Sequence, residues 1–370
     1  MVVLRSMKPC LIVLSCVAVL TACSSDPAVQ PEQPEADEVP ISFGSTELVP
    51  EASTRAVGLE TKGIHDFYVW GYKTTGYTAP NYTGRQTIMD KYKVQWTTNT
   101  AGSTTSNTAD WEYVGITDHG QTQNIKYWDI NASSYRFFGI APCSATVISS
   151  SYNHTDPQQA TEYDITFEAD ASHPDDAPYI SKLWITNNNP ADFPTRRYKD
   201  VVTMEFMKPV TKVRIQLVNE LGELIIDPSA QQAISSLLFA PANGGDVISS
   251  GKLKVSYPLQ GAITFTQYLP TLTIVGDTGG TLKMNRYKAD YADWYYVLPH
   301  IEQDAFQLSL TVNGKSRMAT VPAKLMSWNP NMEYTYRFKL TASDVQFIDI
   351  VQIGITEWRT QDVEYDIYNW

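Results

Sequence analysis

Cysteine is scarce in this chain of 370 residues, and its scarcity excludes two kinds of stabilisation. The four cysteines are Cys10, Cys16, Cys23 and Cys143, and the first two lie in an apolar N-terminal segment. If that segment is removed and Cys23 is modified, as argued below, Cys143 has no partner for an intrachain disulfide. The same count excludes a metal site built from several thiolates.

Signatures of catalysis and of metal binding are also missing. No Gly-x-Ser-x-Gly motif provides a serine nucleophile, and the glycines from 244 to 251 lack the spacing of a phosphate loop. The acidic loop 170–176 lacks the Asp-x-Asp-x-Asp-Gly pattern of a calcium-binding loop. No pair of carboxylates stands out as the acid and base of a glycoside hydrolase. We therefore predict no enzyme, no catalytic residue and no cofactor, with an extracellular hydrolase as the least supported alternative. Metal-ligand spacing is absent from the five histidines, which are His65, His119, His154, His173 and His300.

Positive charge is in short supply. The chain has 28 lysines and arginines against 40 acidic residues, which gives a net charge of −12. A protein that binds nucleic acid normally presents a basic surface to the phosphate backbone. Since no cluster of lysine and arginine offsets the acidic balance, we predict that nucleic acid is not a partner.

The long apolar run near the start is too short to cross a membrane. It covers about a dozen residues from Leu11, whereas a spanning helix needs about 20. Arg5 and Lys8 precede it, so residues 1–22 have the pattern of a signal peptide. The sequence Leu20-Thr-Ala-Cys23 resembles a bacterial lipobox, in which the cysteine is acylated and becomes the first mature residue. The alternative is an ordinary signal peptide in which Cys23 has no role.

A polar segment separates the signal from the first apolar strand. Residues 23–40 are rich in Ser, Pro, Glu and Asp, a composition that predicts an extended tether. Ordered structure is expected from Ile41 and Phe43 onwards. The small residues around Arg55 and Ala56 predict an exposed bond that a protease can cut, so residues 41–55 form a removable leader. Alternatively, Arg55 is only a surface cation.

Strand patterns dominate the rest of the chain, and no convincing amphipathic helix exceeds about ten residues. Apolar and polar residues alternate in 202–206, 213–217 and 334–340, as in strands with one buried face. Asn313-Gly314 predicts a two-residue hairpin, and 144–176 predicts loops with an edge hairpin. The fold class is therefore all-β, with two antiparallel Greek-key β-sandwich domains. The boundary is expected near 200, which gives domains at 41–200 and 201–370.

Apolar residues continue to the last position, which is unusual for a chain end. Burying one large apolar side chain contributes roughly 1.5–3 kcal/mol, so the tail from about 345 to 370 needs a sheet to accept it. The tail either completes its own domain or completes the sheet of a neighbour by strand addition. Three tryptophans could stack against a sugar, although core packing is the commoner role; they are Trp96, Trp111 and Trp128.

Taken in order, these segments resemble the fimbrillin (Mfa-like) family, the lipoprotein precursors of type V pili in Bacteroidales-type bacteria. Each piece is degenerate, and their order carries the resemblance. One departure is the segment 208–212, where the family often has a histidine, so the subgroup is open. The matching pieces are the lipobox at Cys23, Ile41-x-Phe43, Thr54-Arg55-Ala56, 67–72, 127–128, 135–142, 206–217, 294–299, 334–340, 355–358 and Trp370.

The resemblance implies two transthyretin-like β-sandwich domains and an outer membrane lipoprotein precursor carrying palmitate or a similar acyl chain on Cys23. An arginine-specific protease would cut at Arg55-Ala56, the leader strand would leave, and a C-terminal strand of the next subunit would replace it. Partners would be other fimbrial subunits, joined head to tail, and a host or bacterial surface ligand. The donated strand would draw on Ile353, Ile355, Trp358, Val363, Tyr365, Ile367 and Trp370.

The function implied is a structural subunit of an adhesive pilus that polymerises by strand exchange. The alternative is a surface lipoprotein that does not polymerise, either a pilus anchor or tip or a module that binds glycan or a host ligand.

Overall fold

The computed structural model places most of the chain between Val39 and Gly354. The residues that it describes are 39–47, 59–78, 81–98, 100, 103, 110–174, 176–187, 199–227, 233–260, 269–276, 279–287, 294–300 and 304–354.

Strands account for nearly all the described secondary structure. The helical elements among the described residues are two short 3-10 helices, Leu59–Lys62 and Ala323–Leu325. The strands are β1 (Phe43–Glu47), β2 (Asp66–Thr78), β3 (Asn81–Trp96), β4 (Trp111–Glu112), β5 (Thr117–Asp118), β6 (Gln121–Thr122), β7 (Ser134–Ala141), β8 (Val147–Tyr152), β9 (Glu162–Asp170), β10 (Tyr179–Ser181), β11 (Trp184–Asn187), β12 (Val202–Met207), β13 (Thr211–Val218), β14 (Ile234–Pro241), β15 (Val247–Ile248), β16 (Ser250–Pro258), β17 (Thr271–Val275), β18 (Thr281–Leu282), β19 (Tyr295–Val297), β20 (Phe306–Val312), β21 (Lys315–Val321), β22 (Met332–Leu340) and β23 (Val345–Gly354).

Four sheets form the body of the protein. The largest has the order β1-β12-β10-β7-β2-β3-β4, with β11 also paired to β7, and the second is β17-β16-β9-β8. The third and fourth are β19-β13-β22-β23 and β14-β20-β21. The all-β prediction is therefore confirmed.

The sheets are mixed, so the prediction of purely antiparallel sheets is wrong in two places. β1 runs parallel to β12, and β13 runs parallel to β22. Parallel neighbours need a long connection, and both pairs join strands that are more than 100 residues apart in the chain.

One aromatic core lies between the largest sheet and the sheet β17-β16-β9-β8. Phe138 of β7 stacks on Tyr257 of β16, with ring centroids 4.2 Å apart. Tyr163, Ile165 and Phe167 of β9 are buried in the same core. The predicted edge hairpin in 144–176 is therefore confirmed as β8 and β9, since β8 ends this sheet, but β9 also pairs with β16 and is an inner strand.

A second core lies on the opposite face of the largest sheet. Phe67, Phe137 and Phe206 come from three strands of that sheet and are fully buried there. The sheet bends around this core at the irregular pairing near Gly71, so that its two end strands, β1 and β4, approach each other.

The third core lies between the sheets β19-β13-β22-β23 and β14-β20-β21. Phe239 of β14 and Tyr336 of β22 meet there with ring centroids 5.1 Å apart. β12 and β16 follow residue 200 in the chain, but β12 pairs with β1 and β10, and β16 pairs with β9. The division of the chain into two domains at 200 stays a prediction, and these pairings cross it.

The predicted hairpin at Asn313-Gly314 joins β20 to β21. Both residues have positive φ, 49° and 75°, and Val312 pairs with Lys315 across the turn. Asn and Gly tolerate this left-handed geometry better than other residues.

The side chain of Gln123 hydrogen-bonds to the backbone of β3, as a neighbouring strand would. Its Oε1 accepts from the backbone N–H of Lys93 at 2.7 Å, and its Nε2 donates to the carbonyls of Lys93 and Tyr113 at 2.8 and 2.9 Å. Gln123 is buried. These contacts pair the N–H and the carbonyl of Lys93 and add to the bond that the Tyr113 carbonyl accepts from the N–H of Ile116.

Replacing Gln123 by leucine is expected to lower the free energy of unfolding by about 2 kcal/mol, because the N–H and the carbonyl of Lys93 lose their hydrogen bonds to the Gln123 side chain. Urea unfolding followed by tryptophan fluorescence measures the change. The matched control is Gln121→Leu, since Gln121 is exposed on β6. A loss of equal size in both variants would show that the hydrogen bonds of Gln123 do not carry the effect.

The groove of the first strand as a candidate assembly site

β1 is the end strand of the largest sheet. Among the described strands its partner is β12, in a register that runs from Phe43 opposite Val202 to Glu47 opposite Phe206. The N–H of Val202 donates to the carbonyl of Ser42 at 2.8 Å just before the strand begins. An end strand is attached through one ladder of hydrogen bonds, so it can leave without breaking the sheet behind it.

Alternate side chains of the first strand fill the core that the sheet bends around. Ile41, Phe43 and Ser45 are buried, whereas Ser42, Gly44 and Thr46 are half-buried. This period of two is what a strand with one face in a core requires. Sequence reasoning placed Ile41 and Phe43 in such a strand, and the structure confirms that placement.

Phe43 is the anchor of β1. Its ring makes edge-to-face contacts with Phe67, Tyr113 and Phe137, at centroid distances of 6.2, 5.8 and 5.8 Å. Each such pair contributes about 0.5–1.5 kcal/mol beyond the burial of its area. The first strand is therefore held mainly by one aromatic side chain set among three others.

The residues just before β1 are held on the opposite side by the segment 126–128. Ile41 donates its N–H to the carbonyl of Lys126 at 2.8 Å, and Trp128 donates to the carbonyl of Val39 at 3.0 Å. The hydroxyl of Tyr113 donates to the carbonyl of Ile41 at 3.1 Å and accepts from the N–H of Lys126 at 3.0 Å. Burial raises the pKa of Tyr113 above its ordinary value, so the phenol keeps the proton that it donates.

Removing β1 would leave a groove with an apolar floor and an unpaired edge. The floor consists of the inward side chains of β12, namely Val202, Met204 and Phe206, all of which are fully buried while β1 is present. The edge is the row of β12 backbone groups that β1 now pairs. A short strand with large apolar side chains at alternate positions is the ligand that such a groove fits.

The predicted cleavage bond lies in the connection after β1. Arg55 and Ala56 are outside the described residues, and the described chain resumes at Leu59, which is fully buried. The N–H of Leu59 donates to Oγ of Ser45 at 3.4 Å, so the chain returns to the side of β1. Cutting between Glu47 and Leu59 would leave β1 held only by non-covalent contacts.

The start of the predicted C-terminal tail is paired within its own chain. β23 lies antiparallel to β22 from Val345 opposite Leu340 to Gly354 opposite Met332. Arg337 holds Asp349 across the pair, with Nε 2.6 Å from Oδ1. Residues 345–354 are thus an end strand of the sheet β19-β13-β22-β23, and within this part of the tail the backbone is not free.

The other predicted site residues fall in the tail or at the lipid site. The backbone of Ile353 lies opposite Glu333 in the β22–β23 pair. The remaining ones lie outside the described residues; they are Cys23, Ile355, Trp358, Val363, Tyr365, Ile367 and Trp370.

The three tryptophans considered as a sugar platform are not one. Trp111 and Trp128 are buried in the core that β1 closes, and Trp96 packs against Trp111 at 5.4 Å. Because Trp111 and Trp128 are buried and Trp96 is half-buried, the three rings do not form a shared exposed surface on which a sugar could stack.

Sequence reasoning missed β12 and Tyr113 as the partners of the first strand. β12 was predicted as a strand, but no local signal shows that it pairs with a segment about 160 residues earlier. Tyr113 lies in a polar stretch that carries no strand pattern.

Comparison with known proteins gives the family of the chain. The family model described as fimbrillin-like matches residues 54–358, so β1 precedes the match and β23 lies within it. A comparison with curated proteins finds none that matches. Within the described residues, no helix combines the length and apolar character needed to cross a bilayer.

Two solved structures are similar over most of their length. A fimbrial protein from Bacteroides vulgatus is 14% identical, with 85% of this chain and 99% of that chain covered and a TM-score of 0.40. A fimbrial assembly protein from Parabacteroides distasonis is 10% identical, with 86% and 100% covered and a TM-score of 0.35. Because the family match covers most of its length, the chain belongs to the fimbrillin-like family, whose role lies in pili or adhesion at the cell surface.

Proposed function

We propose that the protein is the precursor of a structural pilus subunit that polymerises by strand exchange. Cleavage after Arg55 frees β1 from the body, β1 leaves its groove, and a C-terminal strand of the next copy takes its place. The observation that carries the proposal is the position of β1 as a separable end strand whose Phe43 plugs an aromatic core.

Replacing β1 by another strand is energetically more favourable than leaving its groove empty. Burying Ile41 and Phe43 contributes roughly 1.5–3 kcal/mol each, and their loss would expose the floor residues of β12. An incoming strand restores both the burial and the backbone pairing, so replacement costs far less than simple removal. Head-to-tail replacement does not close on itself and therefore produces a filament.

The chemistry of the undescribed tail suits the incoming strand. Residues 355–370 contain apolar side chains at alternate positions, Val363, Tyr365 and Ile367, followed by Trp370. These match the spacing of the inward positions of β1. Since β23 pairs with β22, we assign donation to the segment after Gly354.

Export and anchoring complete the proposal. Residues 1–22 direct export, and acylation of Cys23 holds the precursor at the outer membrane through the tether 23–40. Cleavage at Arg55 then separates the lipid from the body and opens the groove in one step, which confines polymerisation to the cell surface.

The first test replaces the cleavage residue. With an arginine-specific protease, the parent chain is expected to start at Ala56 by mass spectrometry and to form filaments under the electron microscope. Arg55→Ala is expected to remain monomeric, whereas Arg286→Ala, a change at an exposed arginine far along the chain, polymerises as the parent does. Polymerisation of Arg55→Ala at the parental rate would overturn the proposal.

A second test removes the donor. A chain that ends at Gly354 retains β23 and is expected to fold as a monomer, yet to form no filaments after cleavage. Circular dichroism and thermal unfolding check its fold. Filaments of normal length from this truncated chain would show that residues 355–370 are not the donated strand.

A non-polymerising anchor or tip lipoprotein is the second candidate. The observation in its favour is the pairing of β23 with the chain's own sheet. It predicts that protein taken from the cell surface begins at acylated Cys23, whereas the subunit proposal predicts Ala56.

A further inference from the structure

One outer sheet face of this acidic protein carries no charge. It belongs to β14-β20-β21, on the side opposite the core, where the register places nine side chains in three rows. Every one of the nine is uncharged and at least partly exposed. The rows are Leu238–Ser309–Met318, Ser236–Thr311–Ser316 and Ala240–Gln307–Thr320.

Outer faces of two other sheets differ in this respect. The outer face of β22-β23 carries Arg337 paired with Asp349, with Nε 2.6 Å from Oδ1 and both side chains partly exposed. In the sheet β17-β16-β9-β8, Lys254 lies 3.3 Å from Asp164. Such pairs keep an exposed sheet face solvated and discourage association, and the uncharged face of β14-β20-β21 lacks them.

This uncharged outer face of β14-β20-β21, called the neutral face below, is not flat. Leu238 and Met318 are 40% and 57% exposed, and the small side chain of Ser309 lies between them. A groove of about 390 Å³ lies along this row and the row of Ser236, and it is also lined by Arg317, whose guanidinium donates to the carbonyls of Thr341 and Ala342. The face therefore presents two apolar ridges with a shallow trough between them.

We propose that the neutral face is a lateral contact between two copies of this chain in neighbouring filaments, an inference that rests on the proposed function. The net charge of −12 makes two copies repel through most of their surface, and an uncharged face is where they can approach closely. A patch of three strands by five residues covers about 240 Å². A stable pair needs roughly 800 Å² on each partner, so single subunits stay apart. Filaments that present many copies add these weak contacts together and form bundles.

The register fixes how the two copies face each other. A two-fold axis parallel to β20 brings Leu238 of each copy against Met318 of the other, with Ser309 opposite Ser309. Both apolar ridges are then covered, and none of the nine side chains in the three rows is charged. This arrangement is isologous, so one kind of substitution weakens both halves of the contact.

The experiment uses beads coated densely with the full chain, which present an array without any polymerisation. Parent beads are expected to cluster, as measured by light scattering. Leu238→Asp and Met318→Lys are each expected to reduce clustering about a hundredfold, because the array multiplies a weak contact. The matched controls Leu221→Asp and Ile130→Lys change exposed apolar residues elsewhere and are expected to cluster as the parent does.

Mixing the two variants tests the geometry. In the proposed pairing, Asp at 238 of one copy faces Lys at 318 of the other, so mixed beads are expected to recover clustering that neither variant shows alone. Thermal unfolding confirms that both variants fold. Parent beads that stay dispersed, variants that cluster fully, or mixtures that recover nothing would each overturn the contact. These outcomes are independent of strand exchange, whose failure would appear as an absence of filaments while the beads still cluster.

Discussion

Phe43→Ala is expected to lower the free energy that holds β1 in its groove by about 3–5 kcal/mol, the usual cost of removing a buried phenylalanine. The cost is at the upper end because the ring contacts three other aromatic rings and the cavity lies between strands that cannot collapse onto it. After cleavage, the same change is expected to accelerate filament formation, since the leader leaves faster.

Hydrogen exchange along β12 measures the first effect. The N–H of Val202 is covered by Ser42 and becomes exchangeable when β1 leaves. The matched control is Thr46→Ala, since Thr46 lies on the half-buried side of the same strand. Unchanged exchange in β12 of Phe43→Ala, together with an unchanged polymerisation rate, would show that Phe43 is not the anchor of the strand.

Gly139→Ala is expected to destabilise the whole protein by about 3 kcal/mol. A Cβ at this position would lie 2.3 Å from the carbonyl oxygen of Tyr68 and 3.2 Å from Cε of Met204. The nearest atom is backbone in the neighbouring strand β2, so the two central strands of the largest sheet would have to separate. The cores on both faces of that sheet would then lose packing contacts.

Chemical denaturation measures this loss. Gly44→Ala is the matched control, because a Cβ there would meet Val201 at 3.5 Å, an ordinary contact, in the same sheet. Its expected effect is small. If Gly139→Ala unfolds at the same denaturant concentration as Gly44→Ala, the close approach of β2 to β7 does not limit stability.

Several strands could be predicted because their signals are local. The alternation in 202–206 and 334–340 reports one buried face, and β12 and β22 have that face. Asn313-Gly314 specifies its turn through the two positive φ values that these residues tolerate. The two-residue period at Ile41 and Phe43 likewise placed their side chains in a core before any partner was known.

Other features could not be predicted because they depend on residues far apart in the chain. The parallel pairing of β1 with β12 needs a connection of about 150 residues, and no short motif encodes it. The edge hairpin predicted in 144–176 is present as β8 and β9, but its pairing with β16, about 90 residues later, has no local signal. The sequence left open whether the tail completes its own domain or that of a neighbour, and β22 pairs its first ten residues.

The sequence by itself determined what each segment can bury: an apolar first strand, an arginine after it, and an apolar chain end. The spacing of apolar residues and the composition of a segment are local properties, so they can be read from the sequence without a structure. Only the tertiary structure decided that the first strand ends a sheet, that Phe43 is surrounded by three rings, and that one outer face is neutral. Those features arise from which strands meet, and a pleated strand presents the same edge to many possible neighbours until the packing of its side chains selects one.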